Sequence, residues 1–187
     1  MQKPIISYGQ LLERLSALHR NLLRKFAQTE GLQFVHVEII QYLNVCNRYS
    51  NTTQAISDYL GQTKSSISQS LAQLEQNAVL KRVQDKSDKR VFHLILLAKG
   101  FAIAERLNNE LDFQRLDSIP VDSKLEKVLS ELQKNNGMRG FGICASCKFN
   151  DNPGKNEFVC GLTKEKLSTE DVKKICREHE ASRTSRG

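Results

Sequence analysis

The sequence has no apolar stretch long enough to cross a membrane. Its longest apolar run, Val91 to Ala98, is interrupted by His93 and falls far short of the ~18 residues a spanning helix needs. The N-terminal stretch MQKPIISYGQLLERL sets polar and charged side chains among its first apolar residues, so it lacks the continuous apolar segment of a secretory signal. A cytoplasmic protein is the expectation. There is no glycine-rich phosphate loop and no HExxH, and the four histidines are scattered at positions 19, 36, 93 and 179, which leaves nucleotide-dependent and zinc-hydrolase chemistry without a signature. The CASC segment does not close a strand of a βαβ pattern, so a thioredoxin-like enzyme has little support. No internal repeat and no long low-complexity tract occurs. The sequence is not that of a recognisable enzyme.

Its 187 residues, 39% hydrophobic and 26% charged, suit one globular domain with an appendage. Lys and Arg number 28 against 21 Asp and Glu, a net charge of +7, and a polyanionic partner is compatible with that excess. The five cysteines are uneven: Cys46 stands alone, whereas Cys144, Cys147, Cys160 and Cys176 fall close together near the C-terminus. In a reducing compartment such a cluster reads as metal or thiol chemistry before disulfides.

Between residues 9 and 28 apolar side chains recur at Leu11, Leu12, Leu15, Leu18, Leu22, Leu23 and Phe26, the rhythm of an amphipathic helix. A second helical pattern runs from Phe34 to Cys46, with Cys46 on or near its apolar face as a core residue. In NTTQAISDYLG, Thr52 or Thr53 can cap a short helix and Gly61 supplies a left-handed stop. KSSISQSLAQLEQN then predicts a helix that buries Ile67, Leu71, Leu74 and Ala78 and exposes Lys64, Ser65, Ser68, Gln69, Gln73 and Gln76, with no acid before Glu75. Two β-prone runs, Val79 to Val83 and Val91 to Leu97, flank the turn-rich QDKSDKR and predict a hairpin with a charged tip. Helical spacing returns from Ala98 to about Leu116, Pro120 breaks it, and VDSKLEKVLSELQKN is one more amphipathic helix. The glycines of NNGMRGFG mark a linker, and EASRTSRG reads as a frayed tail.

Helix, turn, helix and charged hairpin in this order form a winged helix-turn-helix, whose second helix enters the major groove while the hairpin reaches backbone or minor groove. Over residues 8 to 135 the sequence resembles the multiple-antibiotic-resistance regulator (MarR) family of bacterial transcription factors. The most specific stretch is KSSISQSLAQLEQNAVLKRVQDKSDKRVFHLILLAKG, which keeps the family's order of a Ser/Thr-rich recognition helix, Leu-Glu, a D-x-x-D-x-R wing, a strand and Leu-(Thr or Ala)-x-x-Gly. The resemblance implies DNA contacts from Lys64, Ser65, Ser66, Ser68 and Gln69, with Asp88 and Arg90 at the wing tip; Gln73 and Lys89 complete the candidate surface. Ala78 replaces the family's usual helix-ending glycine, which puts the left-handed cap on Asn77, and Gln69 stands where arginine is frequent. The resemblance also implies a homodimer built from the first helix and the two helices after the wing, matched to a palindromic site on double-stranded DNA.

Cys144-x2-Cys147-x12-Cys160-x15-Cys176 supplies four thiolates, enough to saturate a tetrahedral metal site. A segment this short and polar usually needs a metal or disulfides to fold. Zinc, an iron–sulfur cluster and a metal-free thiol switch all fit the spacing, and His179 is a reserve ligand. The expected architecture is mainly α (α+β): a winged-helix and dimerisation domain over 1–135, a linker over 136–142, a metal-binding extension over 143–180 and a tail over 181–187. The expected function is sequence-specific transcriptional regulation, as a repressor, responsive to metal or redox state through the four-cysteine centre. A small redox protein and a protein-interaction module are the alternatives.

Overall fold

The computed structural model describes residues 7–111, 123–138, 140–154 and 157–180. Helix α1 spans Tyr8–Thr29. Ser7 caps it through a reciprocal pair: the Ser7 hydroxyl accepts from the Gln10 N–H at 3.2 Å and the Gln10 amide oxygen accepts from the Ser7 N–H at 3.0 Å. Helix α2 (Phe34–Val45) ends where Cys46 turns extended. Helix α3 (Thr53–Leu60) is capped by Thr52 and closed by Gly61 at φ 64°, a left-handed conformation glycine adopts without steric cost. Thr63 caps α4 (Lys64–Gln76). Strands β1 (Leu80–Gln84) and β2 (Phe92–Leu96) pair antiparallel, Leu80 opposite Leu96 and Gln84 opposite Phe92. Helices α5 (Ala98–Leu111) and α6 (Ser123–Asn135) follow. The expected break at Pro120 and the tail from Ala181 onward lie outside the described residues.

One core holds α1 to α5 together. Ile39, Ile40, Ile56, Ile67, Leu71, Leu74 and Leu107 are all fully buried in it, as the spacing predicts. Gly100 is required there, because a Cβ at that position would stand 2.4 Å from the Val79 carbonyl oxygen. This explains physically why the segment after β2 carries Leu-Ala-Lys-Gly: α5 packs directly on the backbone at the end of α4. The helix-ending residue differs from expectation. Asn77 has φ −83°, and Ala78 itself takes the left-handed conformation at φ 55°. The Val79 N–H then reaches back to the Leu74 carbonyl at 2.9 Å. Ala78 is consequently exposed rather than buried.

Helix α1 buries only its last turns, through Leu23, Phe26 and Ala27. Leu11, Leu15, Leu18 and Leu22 are 37, 48, 57 and 39% exposed, and Leu125, Leu129 and Leu132 of α6 are 38, 55 and 47% exposed. Both flanking helices therefore carry an apolar face that the described residues leave exposed.

The C-terminal segment consists of short elements: β3 (Gly142–Ile143) paired with β7 (Ile175–Cys176), and a three-stranded sheet of β4 (Asn150–Gly154), β5 (Glu157–Cys160) and β6 (Lys166–Leu167). Its buried centre is small, with Cys144, Leu167 and Val172 packed by Tyr49, Phe158 and Cys160. It is not a separate appendage. Phe141 leaves the linker to pack edge-on against Tyr59 and Tyr42 at 5.0 and 6.3 Å between ring centres, and Cys46 forms a bridge to Ile175.

Candidate nucleic-acid interface and cysteine cavity

Helix α4 presents one polar face. Lys64, Ser65, Ser66, Ser68, Gln69 and Gln73 are exposed, while Ile67, Ser70, Leu71 and Leu74 are buried against the core. Thr63 holds the N-terminal turn, its hydroxyl accepting from the Ser66 N–H at 3.3 Å and bonding the Ser65 hydroxyl at 3.1 Å. Gln73 differs from the others: it lies beside His36 of α2, whose pKa burial lowers and Gln73 partly restores. The most open part of this polar face is thus the first two turns of the helix. No acidic residue lies in its first turn, so the positive end of the helix dipole faces outward unneutralised, a favourable setting for phosphate.

The wing tip is ordered by acids. Asp85 accepts from the Ser87 N–H at 2.7 Å, the Ser87 hydroxyl at 2.6 Å and the Asp88 N–H at 2.9 Å, and its other oxygen meets His93 Nε2 at 2.9 Å. These bonds, those from Ser87 foremost, hold the Asp85 carboxyl well below the usual carboxylate range. Arg90 forms a two-point pair with Asp88, Nε to Oδ1 at 3.0 Å and Nη2 to Oδ2 at 2.9 Å. With its side chain 89% exposed, the guanidinium is displayed at the tip and can exchange its partner for a phosphate. Lys89 beside it is exposed.

Asn51, which the sequence did not single out, ties the wing to the helices. Its carbonyl accepts from the Leu94 N–H at 2.8 Å, and its side-chain oxygen bonds His93 Nδ1 at 2.6 Å. Asn51, His93 and Asp85 form one chain of hydrogen bonds from the start of α3 to the wing tip. The Asp85 part was readable, since D-x-S-D is a turn in which a carboxylate accepts from the N–H groups two and three residues on.

Cys144, Cys147, Cys160 and Cys176 line a single cavity of about 20 Å³, together with Asn47, Tyr49 and Leu167 among others. Burial pushes the Cys144 thiol up to about 11, and each of the other three sulfurs adds to the rise. At Cys160 burial also raises the pKa, but the Thr163 N–H, the Thr163 hydroxyl and the Leu162 N–H together bring it below the ordinary thiol value. The donors of one tight turn thus converge on the Cys160 sulfur. The turn is closed by the Lys164 N–H on the Cys160 carbonyl at 2.7 Å, with Lys164 left-handed at φ 60°. Among the described residues no three His, Cys, Asp or Glu side chains already converge to ion-binding geometry; the four sulfurs ring a space rather than meet at a point. His179 does not line this cavity. It is half-buried and bonds the Ser146 hydroxyl through Nε2 at 3.0 Å. Cys46 lies outside the cavity, 5% exposed, its thiol pushed up to about 12 by burial, as a core residue should be.

The extension rests on the segment that joins α2 to α3. The Asn47 N–H donates to the Ile175 carbonyl at 2.9 Å, and the Arg177 N–H donates to the Ser50 hydroxyl at 2.8 Å. The Arg177 guanidinium pairs with Asp58 of α3, Nε and Nη2 to Oδ2 at 2.8 and 2.7 Å. On the other side, Arg48 donates to Glu165 and to the Lys166 carbonyl, each at 3.0 Å, and the Tyr49 hydroxyl meets the same Glu165 carboxylate.

Residues 32–100, which carry both the exposed α4 face and the wing, match the family of winged helix DNA-binding domains. No curated protein matches the chain. Solved structures extend the likeness to about 70% of the chain. The transcriptional regulator PA3341 is 20% identical with a TM-score of 0.57 over 70% of this chain and 98% of its own. CouR from Rhodococcus jostii RHA1, solved with p-coumaroyl-CoA, is 17% identical with a TM-score of 0.53 over 72 and 95%. A mutant of MepR from S. aureus is 20% identical with a TM-score of 0.51 over 71 and 98%. The protein thus carries a winged helix DNA-binding domain. Its fold is shared with these three solved proteins. Among the described residues no helix is long and apolar enough to cross a membrane.

Proposed function

We propose that this protein is a sequence-specific transcriptional regulator that binds duplex DNA as a homodimer, represses from its site, and answers to metal or redox state through its four cysteines. The observation that carries the reading is the face of α4: Lys64, Ser65, Ser68 and Gln69 are exposed around a capped, acid-free N-terminus, flanked by a wing that displays Arg90. Hydroxyl and amide groups on such a helix can donate to and accept from base edges, while lysine and arginine meet phosphates. The uncovered apolar faces of α1 and α6 support the dimer, since a two-fold pair would bury both and set two recognition helices one DNA turn apart. Repression follows if that dimer occupies promoter DNA.

The test compares a duplex selected from a random pool by the purified protein with unselected duplex at fixed salt. Ser68→Ala or Gln69→Ala should cost ~1–3 kcal/mol on the selected site and less on the other. Equal losses on both would exclude base readout, and an affinity that does not fall with salt would exclude phosphate contact and favour an interaction module.

A further inference from the structure

The cysteine cavity and the DNA-binding elements meet at one short stretch of chain. Residues 47–51 form bonds on both sides. Asn47 and Ser50 take the Ile175 carbonyl and the Arg177 N–H from the strand and turn that carry Cys176, while Asn51 holds Leu94 and His93 of the wing. The same stretch is fixed from below, where the Tyr42 hydroxyl donates to the Ser50 carbonyl at 2.8 Å. Arg177 follows Cys176 directly and reaches Asp58 in α3, the helix that packs against α4. Both side chains are only about one fifth exposed, 19 and 22%, so the pair is screened little by solvent and has a fixed geometry.

The extension has little else to hold its shape. Three buried side chains make up its own centre, too few for a segment of this length to order itself without a cross-link. Four cysteines around one cavity, two of them in a Cys-x2-Cys turn with the Cys147 N–H on the Cys144 carbonyl at 3.0 Å, are the donor set that a thiophilic metal would cross-link.

Building on the regulatory reading above, we infer that Cys144, Cys147, Cys160 and Cys176 hold one thiolate-ligated metal centre, zinc or iron–sulfur, and that Arg177 conveys its presence to α3 and to the 47–51 stretch that steadies the wing. With the centre bound, β7 is held and the Ile175, Arg177 and Ser50 bonds persist. Without it the extension opens, Asp58 loses Arg177 while keeping Gln54, and the wing and α4 lose part of their support. Metal loading and DNA affinity are then linked, and linkage of this kind usually changes affinity by ~5- to 150-fold.

The experiment uses the full chain purified without oxygen. Metal and sulfide are assayed per chain, the visible spectrum is recorded, and affinity for the selected duplex is measured before and after chelation at fixed salt. One zinc per colourless chain, or iron and sulfide with blue-violet absorbance, supports the centre and names it. A chain with neither, or one whose cysteines are paired as disulfides, overturns it. Cys144→Ser and Cys160→Ser should lose the metal and open the extension to protease, and Cys46→Ser should keep both metal and resistance. Arg177→Ala and Asp58→Asn should retain the wild-type metal content while the difference in affinity between loaded and stripped protein falls below ~2-fold, against the ~5-fold or more expected of the wild type. If both variants keep the full difference, Arg177 is not the link. If loaded wild type selects no duplex at all, the regulatory reading fails, while the metal assay still judges the site.

Discussion

At the scale of single residues, two side chains invite measurement. Ala78 occupies a left-handed backbone at φ 55°, a conformation that costs a residue with a Cβ roughly 1–2 kcal/mol. Glycine relieves that cost but gains freedom in the unfolded chain, so Ala78→Gly should stabilise by about 0.5–1 kcal/mol and raise the melting temperature by about 1–4 °C, as calorimetry can show. An unchanged or lowered melting temperature would mean that the turn relaxes without the substitution. Arg90 sits at the wing tip, its guanidinium paired with Asp88. Arg90→Ala should weaken binding to selected and unselected duplex by a similar factor and reduce the salt slope by about one, the mark of one lost phosphate contact. A loss confined to the selected duplex would instead make Arg90 a base reader.

At the scale of elements, the wing is the most informative. Asp85 accepts three bonds within the turn and pairs with His93, and its pKa is held below the ordinary range. An acid lowered on folding contributes its full stabilisation above its unfolded pKa and loses it only as pH falls through the lower folded value. In NMR spectra the Asp85 carboxyl carbon should therefore show its own protonation step only below about pH 4, and Asp85→Asn should abolish that step. The helices and the hairpin were legible in sequence because each announces itself locally, by an apolar rhythm, a cap such as Thr52 or Thr63, or a turn such as QDKSDKR. The exposed α4 face was legible for the same reason. What was not legible depends on distant partners. Nothing near Asn47 marks it for Ile175, nothing near Asp58 marks it for Arg177, and Phe141 looks like linker until Tyr42 and Tyr59 are placed beside it. The left-handed residue was assigned to Asn77 because asparagine tolerates that region better than alanine; the bonds of Ala78 and Val79 back to α4 override that preference.

At the scale of the whole molecule, the proposed dimer rests on the apolar stripe of α1 and that of α6. Leu18 and Leu129 are 57 and 55% exposed, so a charge at either costs the single chain little but would be buried unpaired in a two-fold interface. Leu18→Glu or Leu129→Glu should shift sedimentation from dimer to monomer with little change in helical circular dichroism, and affinity for a two-half-site duplex should fall steeply because each chain then binds alone. Dimers that persist in both variants would place the interface elsewhere.

The bond between Ser50 and Arg177 spans 127 residues of chain, and ribosomes add about 5–20 residues each second. The α4 helix and the wing, complete at Leu96, are therefore made roughly 4–16 s before the strand Ile175–Cys176 that covers the α2–α3 junction exists. The newborn chain passes through an interval in which its winged-helix half is complete and its cysteine-bearing segment has not been synthesised. On the inference drawn above, a message cut short just after Asn136 would encode that interval permanently, a regulator deaf to metal.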